Sequence, residues 1–150
     1  MLKNVPNVLS PELLKVLAEM GHNDVIVLGD ANFPGAGLAK AGGAQLIRAD
    51  GIGATALLDA ILTMIPTDTY VETPIVVMKR EPQDANLDIP IWKEFEAIVE
   101  KYDSRGKAAI GFIDRFRFYD ETKKAYAVIQ SGEEAVYACV MIRKGVIKKV

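Results

Sequence analysis

A chain of 150 residues with a net charge of −2, half of it hydrophobic and a quarter charged, suits one domain that buries about two thirds of the surface its unfolded form exposes. That charge leaves no basic field of the kind that attracts nucleic acid or an anionic membrane, so a small neutral partner fits better. The lone cysteine, Cys139, excludes an internal disulfide, and one histidine without a cysteine cluster excludes the usual N/S zinc site. Metal-free chemistry is the expectation, with counting alone leaving a carboxylate site for a hard cation open. The start of the chain lacks an apolar signal core, and no run reaches the ~18 apolar residues of a membrane span, which makes a cytoplasmic location the expectation.

In chain order, Ser10-Pro11-Glu12 predicts a helix start: Ser at the N-cap, Pro where its missing N–H costs nothing, and an acid in the first turn. Leu13, Leu14, Leu17 and Met20 give its apolar face, and Gly21 is expected to end it in the left-handed conformation. Val25 to Leu28 is an apolar run too short for a helix, which predicts a buried strand that delivers Asp30 into the next loop. Ala31 to Gly43, rich in Gly and Ala with one Pro, predicts an irregular close-packed loop. A short strand over Gln45 to Ala49 precedes a helix from Gly53 to Ile65, and Thr69 to Lys79 reads as a strand with Pro74 marking a bend or an edge segment. After a polar break from Arg80 to Asp88, the spacing of Trp92, Phe95, Ile98, Val99 and Tyr102 predicts a helix over 91–102. Ala108 to Ile113 is strand-like, Asp114 to Lys124 a short charged helix, and Ala125 to Ile129 and Tyr137 to Ile142 two antiparallel strands around a Ser-Gly-Glu-Glu turn. Helices alternating with apolar strands imply an α/β sandwich with helices on both faces of the sheet.

Several residues carry chemistry on this plan. Gly35-Ala36-Gly37-Leu38-Ala39-Lys40 follows a strand as a dinucleotide fingerprint does, but Lys40 stands at its third position and Pro34 precedes it. Ala41 after Lys40 also breaks the phosphate-binding P-loop pattern. His22, in a turn past a helix end, either interacts with the last helix carbonyls or serves as a proton carrier near neutral pH, with the helix end and Asp24 or Asp30 nearby favouring its charged form. Asp30 ends a buried strand, where open α/β sheets place ligand-binding groups, or it caps nearby backbone amides. Arg115 and Tyr119 share a helix face at i and i+4, where they can hydrogen-bond the hydroxyls of a polar ligand or simply form a solvated face. Tyr137, at the start of the last strand, is more often a core residue than a site residue.

Leu9-Ser10-Pro11-Glu12-Leu13-Leu14, Met20-Gly21-His22, Asp30 with Asn32-Phe33-Pro34, Ile47-Arg48-Ala49-Asp50-Gly51, Asp68-Thr69-Tyr70 and Arg115-Phe116 with Phe118-Tyr119 together resemble the RbsD/FucU sugar mutarotase family. The resemblance spans essentially the whole chain and is strongest to the L-fucose branch. It implies a three-layer α/β/α sandwich with a mixed central sheet, and a cofactor-free enzyme that interconverts the α and β anomers of a free monosaccharide, L-fucose or D-ribose. It implies His22 as the catalytic proton carrier, with Asp30, Asp68, Arg115, Tyr119 and Tyr137 as substrate-binding residues. It further implies a homo-oligomer, decameric in some bacterial members, with sites near subunit contacts. One position departs: where the family pattern has Tyr, a small residue and Asn, this chain has Tyr137-Ala138-Cys139, so a thiol stands in for an amide at a substrate-binding position. A non-catalytic sugar-binding or transport-accessory protein using the same pocket is the alternative.

Overall fold

The computed structural model describes residues 1–150. Helix α1 (Pro11–Glu19) starts as its sequence predicts: Ser10 Oγ accepts from the Leu13 N–H at 3.1 Å, and Pro11 takes the first turn. Its end differs from expectation. Gly21 is not left-handed; Asn23 takes that conformation instead, at φ 72°. The orphan carbonyls of Leu17 and Met20 accept from the Lys144 ammonium, so the distant strand end caps the helix.

Strand β1 (Val25–Gly29) leads into a helix, α2 (Gly35–Gly42), where a loop was expected. Ala36, Leu38, Ala39, Lys40 and Ala41 are strong helix formers, and they outweigh the interior glycines once Gly43 closes the helix at φ 76°. Two of those glycines are there for space: a Cβ on Gly42 would lie 1.8 Å from the Lys123 carbonyl oxygen, and one on Gly35 2.6 Å from Gln130 Oε1. Close packing, not flexibility, explains this stretch.

Strand β2 (Gln45–Ala49) and helix α3 (Ala54–Met64) follow as read. Strand β3 (Ile75–Met78) is shorter than the predicted Thr69–Lys79 run. The residues before Pro74 form turns held by an isolated bridge between Thr67 and Lys144, because Pro74 withholds the N–H that a longer strand would need. Helix α4 (Ile91–Tyr102) has the expected bounds, with Phe95, Ile98 and Val99 buried and Tyr102 exposed. Strand β4 (Ile110–Ile113), helix α5 (Arg115–Thr122), β5 (Ala127–Ser131) and β6 (Val140–Arg143) complete the chain. Asp114 Oδ1 caps α5 by accepting from the Arg117 N–H at 3.0 Å.

The six strands pair in the order β2-β5-β1-β6-β3-β4. Only β6 is antiparallel to its neighbours, so the sheet is mixed. The last two strands do run in opposite directions, but they form no hairpin: β1 lies between them. Alternation along β1 sends Ile26 and Leu28 into a core of 28 buried residues beneath α1, α3 and α4, and Val27 into a core of nine beneath α2 and α5. The result is a three-layer α/β/α sandwich, as the sequence implied.

Candidate functional site

The C-terminal ends of β1 and β3 and the N-terminal end of β6 meet at one end of the sheet. Between them lies a cavity of about 330 Å³ lined by Asp30, Asn32, Phe33, Met78, Asp84, Leu87, Tyr119, Val136, Tyr137 and Cys139. It sits where the carboxyl ends of strands place ligands in open α/β sheets.

Asp30 is 5% exposed; it lines the cavity and caps a nearby backbone amide. Oδ1 accepts from the Asn32 N–H at 3.0 Å, while Oδ2 accepts from the Cys139 thiol at 3.3 Å. Burial pushes the Asp30 carboxyl up, and the Cys139 thiol and the Asn32 amide pull it back. The Cys139 thiol is pushed well up by burial and by the adjoining carboxylate, which makes it a weak hydrogen-bond donor and not a nucleophile. Phe33 packs edge-on against Phe118 at 5.8 Å and tilts against Tyr119 at 5.9 Å. It forms an apolar floor with Met78.

Tyr137 is held at both ends in a left-handed backbone conformation, φ 59°, which non-glycine residues adopt at a cost of about 1 kcal/mol or more. Its carbonyl accepts from Trp92 Nε1–H at 3.0 Å. Its phenol donates to Asp84 Oδ2 at 2.5 Å and accepts from the Glu81 N–H at 3.2 Å. Burial and then the Asp84 carboxylate push the phenol up, keeping it protonated near neutral pH.

Arg115 and Tyr119 separate in role. Tyr119 lines the cavity, whereas the Arg115 guanidinium lies 4.5 Å over the Phe116 ring, with Nε 3.3 Å from Glu81 Oε1. Arg115 thus buttresses the 80–88 segment that walls the cavity. The glycines of the nucleotide-like stretch open α2 on a different depression, shared with Arg48, Asp50 and Glu134. No group of three or more His, Cys, Asp or Glu gathers to hold a metal ion.

His22 and Asp68 form the second group. His22 Nε2 lies 3.2 Å from Asp68 Oδ1, which also accepts from the Tyr70 N–H at 2.9 Å. Asp68 is 1% exposed, while the His22 side chain is 45% exposed and packs 5.3 Å from the Tyr70 ring. Because a carboxylate oxygen accepts, Nε2 carries the proton facing Asp68 and Nδ1 faces outward, where it can take or give a proton. Asp24, an expected neighbour of the imidazole, instead caps the Gly21 N–H at 2.7 Å. Asp30, the other expected neighbour, is at the far end of the strand. The two ends of β1 lie about 13 Å apart at its rise of ~3.3 Å per residue, so one chain does not bring His22 to the cavity.

Asp84, Leu87, Met78 and Val136 line the cavity although nothing in the sequence selects them. A carboxylate within a Pro- and Asn-containing break carries only the signature of turn chemistry. No local signal distinguishes Asp84 from its neighbour Asp88.

The profile of the RbsD/FucU transport protein family matches residues 3–147. The chain belongs to the RbsD/FucU family. Among its RbsD/FucU relatives, the human fucose mutarotase is 47% identical over 97% of this chain and 94% of its own length. The crystal structure of FucU from Bifidobacterium longum superposes with a TM-score of 0.94 at 45% identity, covering 97% of this chain and all of that one, 100%. The fucose mutarotase of Streptococcus pneumoniae, solved in complex with L-fucose, gives 0.88 at 41% identity, over 98% of this chain and 100% of that one. The mixed sheet described above is therefore that of the RbsD/FucU fold.

Proposed function

We propose that this protein is an L-fucose mutarotase, a cofactor-free isomerase that interconverts the anomers of the free sugar. The observation that carries the reading is the composition of the cavity: an apolar floor of Phe33 and Met78 beneath the oxygens of Asp30, Tyr119 and Tyr137. An uncharged 6-deoxy sugar presents both an apolar face and a ring of hydroxyls, and carboxylate and phenol groups accept from and donate to those hydroxyls. The human and S. pneumoniae relatives, named for fucose mutarotation, support the same substrate.

Ring opening needs a base at the anomeric hydroxyl and an acid at the ring oxygen; closure after the carbonyl carbon turns over reverses both transfers. Asp30 accepts from a sugar hydroxyl and fixes the ring. His22, oriented by Asp68, carries a proton to and from the substrate. Since His22 and Asp30 occupy opposite ends of the sheet, the imidazole that serves a cavity comes from a second copy of the chain. Two features support this assembly: the exposure of the His22 side chain, and that of Tyr70, 64%, beside it. The homo-oligomer is thus a requirement of the chemistry. No helix is long and apolar enough to cross a membrane, and a cytoplasmic enzyme acting on free sugar fits that.

Saturation-transfer NMR on the anomeric protons of L-fucose and D-ribose tests the proposal. Accelerated exchange for L-fucose and not D-ribose is expected. Binding of L-fucose without acceleration would make the protein a sugar-binding module, and His22→Ala with unchanged exchange would remove the imidazole from the mechanism.

A further inference from the structure

One carboxylate that faces the cavity has no part in the chemistry above. Asp84 ends the short 3₁₀ turn Pro82–Asp84 and accepts the phenolic proton of Tyr137. The Tyr137 oxygen also accepts from the Glu81 N–H, so its donor and one lone pair are committed to the 81–84 turn. A single lone pair remains for a ligand, and Tyr137 can only accept from a sugar hydroxyl, not donate to it.

The turn is fixed from three sides. Glu81 is held by Arg115, the Arg80 guanidinium donates to the Leu87 carbonyl, and Arg80 stacks 5.5 Å from the Trp92 ring. Trp92 in turn donates to the Tyr137 carbonyl. This network holds a carboxylate directly behind a phenol whose backbone is itself strained, φ 59°, and such strained positions concentrate where geometry serves a reaction.

We propose that Asp84 is a positioning residue that receives, through the Tyr137 phenol, the proton released by the anomeric hydroxyl during ring opening. The proposal rests on the mutarotase reading. The anomeric O–H gives its proton to the Tyr137 oxygen as the phenolic proton passes to Asp84 Oδ2. The electron pair left on the anomeric oxygen forms the C=O bond, the bond from the anomeric carbon to the ring oxygen breaks, and the ring oxygen takes a proton from the second copy's imidazolium. Closure on the opposite face returns each proton along the same path, so neither charge nor atoms accumulate. The carboxylate lets a phenol that is protonated at neutral pH act as a base, because it never has to exist as a free phenolate.

The test compares wild type with Asp84→Asn, Tyr137→Phe and the double variant by exchange NMR of L-fucose, each fitted for kcat and KM, with thermal midpoints recorded. The amide introduced by Asp84→Asn keeps a carbonyl that accepts from the phenol, so the turn and the sugar site persist, but an amide takes up no proton. The expected result for Asp84→Asn is a kcat lowered by about 100-fold or more, a KM within about two-fold and an unchanged midpoint. The double variant should be no slower than Tyr137→Phe alone, because the two groups act as one unit. Formate added to Asp84→Ala should recover part of the lost kcat by taking the vacated position. An undiminished kcat in Asp84→Asn, or a loss confined to KM, overturns the relay and leaves the mutarotase reading intact. Failure of the wild type itself to accelerate L-fucose exchange overturns both.

Discussion

The sulfur of Cys139 lies 3.3 Å from Oδ2 of Asp30, and both side chains are buried, at 2% and 5% exposure. Where the resemblance implies an amide, this chain has a thiol, and it donates to the carboxylate that faces the cavity. It does so weakly, since S–H is a poor donor.

Cys139→Asn should strengthen that contact and add a donor toward the ligand. A gain of about 1 kcal/mol, typical of one hydrogen bond, lowers the KM for L-fucose by about five-fold while kcat stays within two-fold. Steady-state exchange kinetics check it, and an unaltered KM would mean that position 139 touches the sugar through its backbone only. The larger side chain enters a packed site, so a stability cost of about 1 kcal/mol should accompany the gain.

Asp30→Asn separates binding from stability. Burial raises the Asp30 carboxyl in the folded state, so folding favours its protonated form. The resulting penalty is absent below the unfolded pKa, grows as pH rises through the interval up to the folded one, and is constant above it. An amide carries no such penalty. The variant's thermal midpoint should exceed that of wild type at pH 7, and the difference should vanish in acid. Loss of the proposed charged acceptor for a sugar hydroxyl should meanwhile weaken binding by about 10- to 100-fold. Calorimetric scans at several pH values, with L-fucose titrations beside them, report the two effects separately.

Much of this was legible in the sequence because it is local. Ser10 and Pro11 cap a helix by their own chemistry, and Val25 to Gly29 aims Asp30 at one end of the sheet by its length and burial. What was not legible depends on distant partners. The carbonyls that end α1 are served by Lys144, more than 120 residues away, so His22 was free to pair with Asp68. The glycines of 35–43 read as loop chemistry because composition does not reveal that Lys123 and Gln130 press against them. Strand order was the largest gap: a short turn between β5 and β6 suggests a hairpin, yet β1 inserts between them. The strand β1 itself holds His22 and Asp30, close in sequence, at opposite ends of the sheet, because its extended backbone carries the chain away from the turn that starts it.

Two glycines of α2 give a paired prediction on packing. A Cβ at Gly37 meets nothing within 4 Å, so Gly37→Ala should stabilise the protein by about 0.5–1 kcal/mol through helix propensity. A Cβ at Gly42 would fall 1.8 Å from the Lys123 carbonyl oxygen, and this collision with backbone outweighs the same propensity. Gly42→Ala should destabilise by about 1–3 kcal/mol. Urea midpoints of the two variants moving in opposite directions would confirm that close approach of α2 to the α5–β5 turn, and a shared direction would refute it.

Asp103 gives an acid-sensitivity prediction that reaches the His22 side of the site. Arg105 donates to it through Nε at 3.0 Å and Nη2 at 2.8 Å, and the Thr67 hydroxyl donates at 2.7 Å. Arg105, with burial opposing and Thr67 assisting, holds the Asp103 carboxyl down at about 2. A depressed folded pKa contributes stability that is fully present above the unfolded value, near 4, and is lost as pH falls toward 2; a shift of this size corresponds to about 2 kcal/mol. Asp103→Asn should therefore be about 2 kcal/mol less stable than wild type at pH 7, with the gap closing between about pH 4 and pH 2. Arg105 also donates to the carbonyls of Asp68 and Val71, at 3.0 and 2.7 Å, so the same guanidinium that Asp103 orients fixes the turn carrying the His22 partner. Exchange should then fall in Asp103→Asn at temperatures well below its midpoint, because the imidazole loses its fixed orientation before the fold is lost. Urea titrations across pH, paired with exchange rates well below each midpoint, measure both; full activity under those conditions would show that Asp103 stabilises the fold without positioning Asp68.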